Sequence, residues 1–170
     1  MSIGKALPAD AAELTALVNI AYRSPEAQYS WATEAHLIDG PRIDEETMMG
    51  YLTAPDTTIL KYTNDEGRID ACVYLQHQDD QLYLGMLSVF PHLQDRGLGR
   101  LLLQASEDFA VKHNCRVIRM TVISIRQELI KWYERRGYHH TGEVQPFHDN
   151  AKFGVPREPL QLLVLEKKFG

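Results

Sequence analysis

Residues 89–100 read Val-Phe-Pro-His-Leu-Gln-Asp-Arg-Gly-Leu-Gly-Arg, and they join two apolar runs of different period. Upstream, 82–90 has the look of a strand and stops at Pro91. Downstream, apolar residues recur every three to four positions over 98–110, the period of a helix. The first N–H groups of such a helix have no intrahelical partner and point out along its axis. With the positive end of the macrodipole they suit an anion, a phosphate above all. Gly97 and Gly99 carry no Cβ, so a ligand can come close to the backbone. The spacing alone fits a tight strand-to-helix turn equally well, and both readings stand at this point.

Outward from that loop the chain reads as one domain over residues 1–170. Hydrophobic residues make up 44% and charged residues 24%, the composition of a globular domain long enough to bury a sizeable core. A net charge of −5 argues against the basic face that non-specific nucleic-acid binding needs, so no nucleic-acid partner is expected. No apolar run approaches the ~18 residues of a membrane span, and the N-terminus has no apolar secretory core. A cytoplasmic protein without a membrane partner is the expectation. Cys72 and Cys115 lie in apolar runs and read as reduced, buried thiols. His139 and His140 are adjacent on a predicted strand and point to opposite faces, and the other histidines have no close partners, so no metal is expected. Lys167, Lys168, Arg135 and Arg136 read as solvated positions.

The coarse elements follow from period and punctuation. A short strand over 3–7 precedes a helix opened by Pro8 and Asp10, with Leu14, Leu17, Val18 and Tyr22 as its apolar stripe. Residues 24–41 read as irregular, followed by a helix over 44–52. Strands over 57–62, 69–77 and 82–90 form an antiparallel meander, the first pair joined by the turn Asn64-Asp65-Glu66-Gly67. The helix over 98–110 presents Leu98, Leu101, Leu102, Ala105, Phe109 and Ala110 on one side. A strand over 116–123, a helix over 127–136 stopped by Gly137, and strands over 138–144 and 160–166 complete the chain. Strand, helix, strand around the glycine loop is a parallel crossover. The expected class is therefore α/β in the α+β sense: a mixed, mostly antiparallel sheet of about seven strands with one parallel pair, flanked by about four helices.

Two phosphate motifs do not apply. A Walker loop needs Gly-Lys-Ser/Thr, and Arg100 follows Gly99. A dinucleotide fingerprint needs a third glycine where Leu102 stands, and an acid after the next strand, which ends Val122-Ile123-Ser124. The wider pattern Gln94-x-x-Gly97-x-Gly99, preceded by Val89-x-Pro91 and followed by Leu102, resembles motif A of the GNAT superfamily of acyl-CoA-dependent N-acetyltransferases. Trp132-Tyr133-Glu134-Arg135-Arg136-Gly137-Tyr138 resembles that family's second signature, Tyr-x-x-x-Gly-aromatic, in the right order.

The resemblance implies the GNAT fold, with its parallel pair splayed open, and acetyl-CoA as co-substrate. Gln94, Asp95, Arg96, Gly97, Leu98, Gly99 and Arg100 would supply amides and side chains to the coenzyme A pyrophosphate. Leu87, Ser88 and Val89 would pair with the pantetheine arm, and the Leu87 and Val89 amides are candidates for an oxyanion hole. Arg126 stands where the family often has a cofactor-touching asparagine, which is a departure. Tyr133 matches the family's general acid, a phenol able to protonate a departing thiolate. Its spacing from Leu129 and Trp132 is equally that of a core stripe.

The strand over 82–88 offers no carboxylate or histidine as a base. Glu34, within Trp31-Ala32-Thr33-Glu34, is the candidate from elsewhere, and Trp31, Glu34 and Arg42 are the candidate acceptor-binding residues. A helix-start carboxylate and a packing tryptophan are the plainer reading of the first two. The function implied is transfer of acetyl from acetyl-CoA directly to a primary amine of a small molecule or amino acid. A non-catalytic acetyl-CoA-binding module and a protein or peptide N-acetyltransferase are the alternatives. Family members often dimerise, so a homodimer stays open.

Overall fold

The computed structural model describes residues 2–23, 38–147, 155–157 and 159–169. In chain order the elements are β1 (Ser2–Lys5), α1 (Ala11–Arg23), β2 (Ile38–Asp39), α2 (Glu45–Thr53), β3 (Thr57–Thr63), β4 (Ile69–Gln78) and β5 (Gln81–Val89). A 3-10 helix (Pro91–Arg96) then leads to α3 (Leu98–Lys112), β6 (Val117–Ile123), α4 (Gln127–Glu134), β7 (His139–Pro146), β8 (Val155–Pro156) and β9 (Gln161–Lys168). Seven strands make one sheet in the order β1-β3-β4-β5-β6-β9-β7. Its β5–β6 pair is parallel and the remaining pairs are antiparallel. The expected mixed sheet is thus present. Within the run expected to be irregular, Ile38–Asp39 instead forms a two-residue ladder with Val155–Pro156.

Helices cover both faces of the sheet. On one, α1 and α2 bury Leu14, Leu17, Val18 and Met48 against Ile59, Cys72 and Met86. Asp44 starts α2 by accepting the Thr47 N–H at 2.8 Å, satisfying a donor the helix cannot. On the other face α3 and α4 bury Leu102, Leu103, Leu129, Ile130 and Tyr133 against Val73, Leu75, Leu82 and Leu84.

The stripe on α3 differs from the expected one: Leu101 is 46% exposed, whereas Gly99 and Ser106 are buried. At about 100° per residue, Leu101 lies roughly 130° from the centre of the buried stripe. Small residues let the helix lie close to the sheet on the other side, and the Ser106 hydroxyl is satisfied by Leu102 O at 2.8 Å. Both cysteines are free and buried, as expected, and burial pushes the Cys72 thiol up to about 12, which leaves it unreactive.

The feature that shapes the site is in β5. Tyr74 pairs with Gly85 and Cys72 with Ser88, so Val73 faces two residues, Met86 and Leu87, across a bulge. Met86 takes φ 51°, a left-handed conformation that costs an L-residue about 1–2 kcal/mol. Its side chain is 6% exposed, in the core under α1 and α2. Burying a methionine contributes about 1.5–3 kcal/mol, enough to offset the strain. Ser88, wholly buried, donates its hydroxyl to Met86 O at 2.9 Å and braces the bulge. The extra residue resets the alternation of side chains: Leu84 and Leu87, three apart, both enter the α3/α4 core, and Met86 enters the opposite one.

Bulges bend and twist the strand that carries them, and β5 parts from β6 just before this one. Their ladder covers only Gln81–Tyr83 against Val117–Arg119. Beyond it, β6 stays with β9 through to Ile123, and β5 stays with β4. Arg119, at the parting point, is tied to β9 by Glu166 at 2.9 Å and to β7 by Glu143 at 2.6 Å. Replacing Ser88 with Ala leaves the Met86 carbonyl short of a partner, so we expect a loss of about 1–3 kcal/mol, read as a lower urea midpoint with an unchanged m value. An unchanged midpoint would show that the hydroxyl carries none of the bulge.

Candidate active site

Where β5 and β6 part, a cleft of about 260 Å³ opens through the sheet. Residues from Tyr83 to Leu87 form one wall and Met120 to Ile123 the other. The Tyr83 and Thr121 hydroxyls meet at 3.3 Å near the vertex. Tyr133 closes the α3/α4 side, while Tyr22, Arg23 and Arg42 reach in from the α1 side.

The free edge of β5 carries polar backbone. Ser88 pairs with Cys72, and the Phe90 N–H donates to Asp70 O at 3.1 Å. Between and before them, Leu87 O accepts from the Tyr22 hydroxyl at 2.9 Å and Val89 O from Gln94 Nε2 at 3.3 Å. Along an antiparallel strand alternate residues turn their N–H and C=O groups to opposite sides. Leu87 and Val89 therefore face the open side, and Ser88 faces β4. Of the three residues expected at the pantetheine arm, Ser88 thus turns its backbone to β4, and its hydroxyl is spent on the bulge.

The anion seat lies at the end of this strand. Residues 91–96 form a 3-10 helix, which uses its own amides in local i to i+3 bonds. Gly97 then takes φ 77°, and the first bond of α3 runs from Leu101 N–H to Gly97 O at 3.1 Å. The donors left without an intrahelical acceptor are the amides of Leu98, Gly99 and Arg100, a shorter set than residues 94–100. Leu98 contributes backbone alone, because its side chain is buried in the core. A Cβ built on Gly97 would meet no atom within 4 Å. Arg96 and Arg100 are exposed beside it, and the side chain of Asp95 lies outside the described residues. Free donors, flanking guanidiniums and open space together fit a pyrophosphate.

Tyr133 both packs and faces the cleft. It is 5% exposed, with edge-on contacts to Trp132 at 5.1 Å and Tyr138 at 5.8 Å. Burial pushes its hydroxyl well above the usual phenol range, reinforced by Tyr22, while the charges of Arg126 and Arg136 pull the other way. Arg136, expected to be solvated, is not. Its guanidinium lies 3.9 Å over the Trp132 ring, Nη1 donates to Trp132 O at 2.8 Å, and Nε is buried with no partner among the described residues. Burial and the charges of Arg100 and Arg135 lower its pKa. Lys167, also expected to be solvated, pairs with Glu107 at 2.8 Å and donates to Arg136 O at 3.0 Å.

Of the acceptor candidates, Trp31 and Glu34 lie outside the described residues. Arg42 is at the cleft, its Cζ 5.5 Å above the Tyr22 ring. Arg126 lines the cleft from the start of α4. Sequence reasoning missed Arg23, Tyr83 and Thr121, and took Tyr22 for a stripe residue alone. Nothing in their spacing marks them, because the splay that exposes them is a property of strand pairing.

Substituting Gly97 with Ala places a methyl group in the open space and an L-residue at positive φ. The strain of about 1–2 kcal/mol should lower the melting temperature by only a few degrees in a chain of this size. Affinity for coenzyme A, measured by calorimetry, should fall by about tenfold or more, since the methyl group stands where a phosphate must approach. Unaltered affinity would move the anion seat elsewhere.

The profile of the acetyltransferase (GNAT) family matches residues 15–138. Among solved structures, the ribosomal-protein-S18-alanine N-acetyltransferase of Escherichia coli superposes with a TM-score of 0.73 at 16% identity, over 98% of this chain and 92% of that one. A ribosomal-protein-alanine N-acetyltransferase from Brucella melitensis gives 0.74 at 18% identity, over 99% and 100%. A GNAT-family acetyltransferase from Streptococcus pneumoniae gives 0.69 at 22% identity, over 99% of each chain. At these identities the likeness is one of fold. A sequence comparison with curated proteins returns no match.

Proposed function

Because the chain belongs to the GNAT acetyltransferase family, we propose that it moves acetyl from acetyl-CoA directly to the primary amine of a small molecule. The observation that carries this reading is Tyr133, set across the opened β5–β6 cleft from the free edge of β5. Bound acetyl-CoA supplies the activated thioester.

The chain's own groups then divide the work. The amides of Leu98, Gly99 and Arg100, with the Arg96 and Arg100 guanidiniums, hold the diphosphate. Leu87 and Val89 offer strand-edge N–H and C=O groups to the pantetheine arm, and an N–H there is positioned to stabilise the oxyanion. Tyr133 holds the proton that the departing thiolate needs. Its raised pKa keeps it protonated at working pH, and Arg126 and Arg136 offset the charge it takes on as the proton leaves.

Among the described lining residues none is a carboxylate or histidine, so no base is supplied from them. The Arg42 guanidinium there disfavours an ammonium and favours the neutral amine that attacks. The E. coli and Brucella neighbours are named for protein alanine acceptors, and a peptide amine is the second reading.

Tyr133→Phe should lower kcat by about 100-fold or more while leaving the thermal stabilisation by acetyl-CoA intact. A wild-type kcat would assign the proton to another group. The sign of the pH dependence follows from the direction of the shift. A raised pKa means the acid form is lost only at high pH, so kcat should show no alkaline fall below about pH 10. The acid limb should follow the acceptor's own ammonium group. A descending limb near neutral pH that vanishes in Tyr133→Phe would contradict this.

A further inference from the structure

We propose that the acceptor amine also carries a carboxylate, and that Arg42 receives it. This rests on the acetyltransferase reading above and names the substrate class of the same cleft. The described lining holds three guanidiniums, from Arg23, Arg42 and Arg126, and no aspartate or glutamate. Arg42 stands at this lining in a chain whose net charge is −5.

The donor's phosphates do not account for it. Their seat is the start of α3, whose side chains pack on the α3/α4 face, whereas Arg23 and Arg42 enter from the α1 side.

Arg42 is held as a binding residue needs to be. Its backbone N–H donates to Asn19 Oδ1 at 2.7 Å, and Asn19 also takes the Ile43 N–H at 3.1 Å and donates to Ile43 O at 2.9 Å. Arg23 spends its Nη1 on the carbonyls of Gly40 and Pro41, at 3.1 and 3.2 Å, bracing the segment that leads into Arg42. The Arg42 guanidinium rests over the Tyr22 ring and makes no ion pair among the described residues.

A guanidinium presents a planar fork of donors that matches a carboxylate, and an aromatic face beneath it fixes its plane. The same Tyr22 donates to Leu87 O. One ring therefore links the anion reader to the strand edge where the acetyl group is expected. An acceptor gripped at its carboxylate by Arg42 has its amine within the cleft, and a volume of about 260 Å³ shared with the thioester suits a small amino acid. The cationic acceptor that the chain's net charge alone would suggest meets like charge here.

The test uses the full chain, acetyl-CoA and matched pairs of amines: free α-amino acids and their carboxamides, with thiol release as readout. The acid member of at least one pair should have kcat/KM about tenfold or more above its carboxamide. Arg42→Gln should erase most of that advantage by raising the acceptor KM, with the KM for acetyl-CoA unchanged, and Arg42→Lys should retain part of it. Equal or better use of the carboxamides would overturn the inference. So would an unaltered acceptor KM in Arg42→Gln, or acetylation of neither member by a protein that acetyl-CoA does stabilise. Absence of any stabilisation by acetyl-CoA would instead remove the acetyltransferase reading itself.

Discussion

The extra residue at Met86–Leu87 is the constraint on which the rest of this structure depends. A seven-stranded sheet pairs strands along their whole length unless something stops it, since every unpaired N–H and C=O left from water costs free energy. Here β5 is held to β4 on one side, while β6 is held to β9 and, through Arg119, to Glu166 and Glu143. The bulge turns β5 out of register with a straight neighbour, and Met86 stays at positive φ because its side chain is locked in the core beneath α1 and α2. Stability and site are therefore one arrangement: the burial that offsets the strain also keeps the cleft open.

The opening divides the site between two faces. The α3/α4 face carries the helix start with its free amides, and Tyr133 with the cations around it. The α1 face carries Tyr22, Arg23 and Arg42. On the proposed reading, a bulky donor and a small acceptor meet through the sheet without competing for one surface. Tyr133 belongs to the packing and also lines the cleft, where the proposed chemistry needs an acid. The apolar surroundings that hold its ring also hold its proton, and the Arg126 and Arg136 guanidiniums lower the cost of releasing it.

Much of this could be read from the residues alone. The glycine loop, the strand before it and the parallel crossover announce themselves by local spacing, because each depends on neighbours in sequence, whereas Tyr133 stands out only through the family resemblance. What escaped reading depends on long-range pairing. The two-residue ladder between Ile38–Asp39 and Val155–Pro156 has no local signal. The rotation of α3 that exposes Leu101 follows from small residues meeting the sheet, and hydrophobic period alone weights Leu above Ser106. Arg136 looks solvated in a run of charges, yet Trp132 captures it. Ser88 reads as a strand-edge contact, and only the bulge shows which way its hydroxyl turns. The bulge itself is silent in the sequence, since Met86 is not a glycine.

Leu87 and Val89 lie on an open strand edge, which a bound pantetheine arm should fill. Amide hydrogen exchange of the full chain, resolved to single residues with and without acetyl-CoA, addresses this directly. The Leu87 and Val89 amides should exchange readily in the free protein and become strongly protected on binding, together with those of Leu98 to Arg100. Protection confined to the α3 start, with Leu87 and Val89 unchanged at saturating acetyl-CoA, would contradict it.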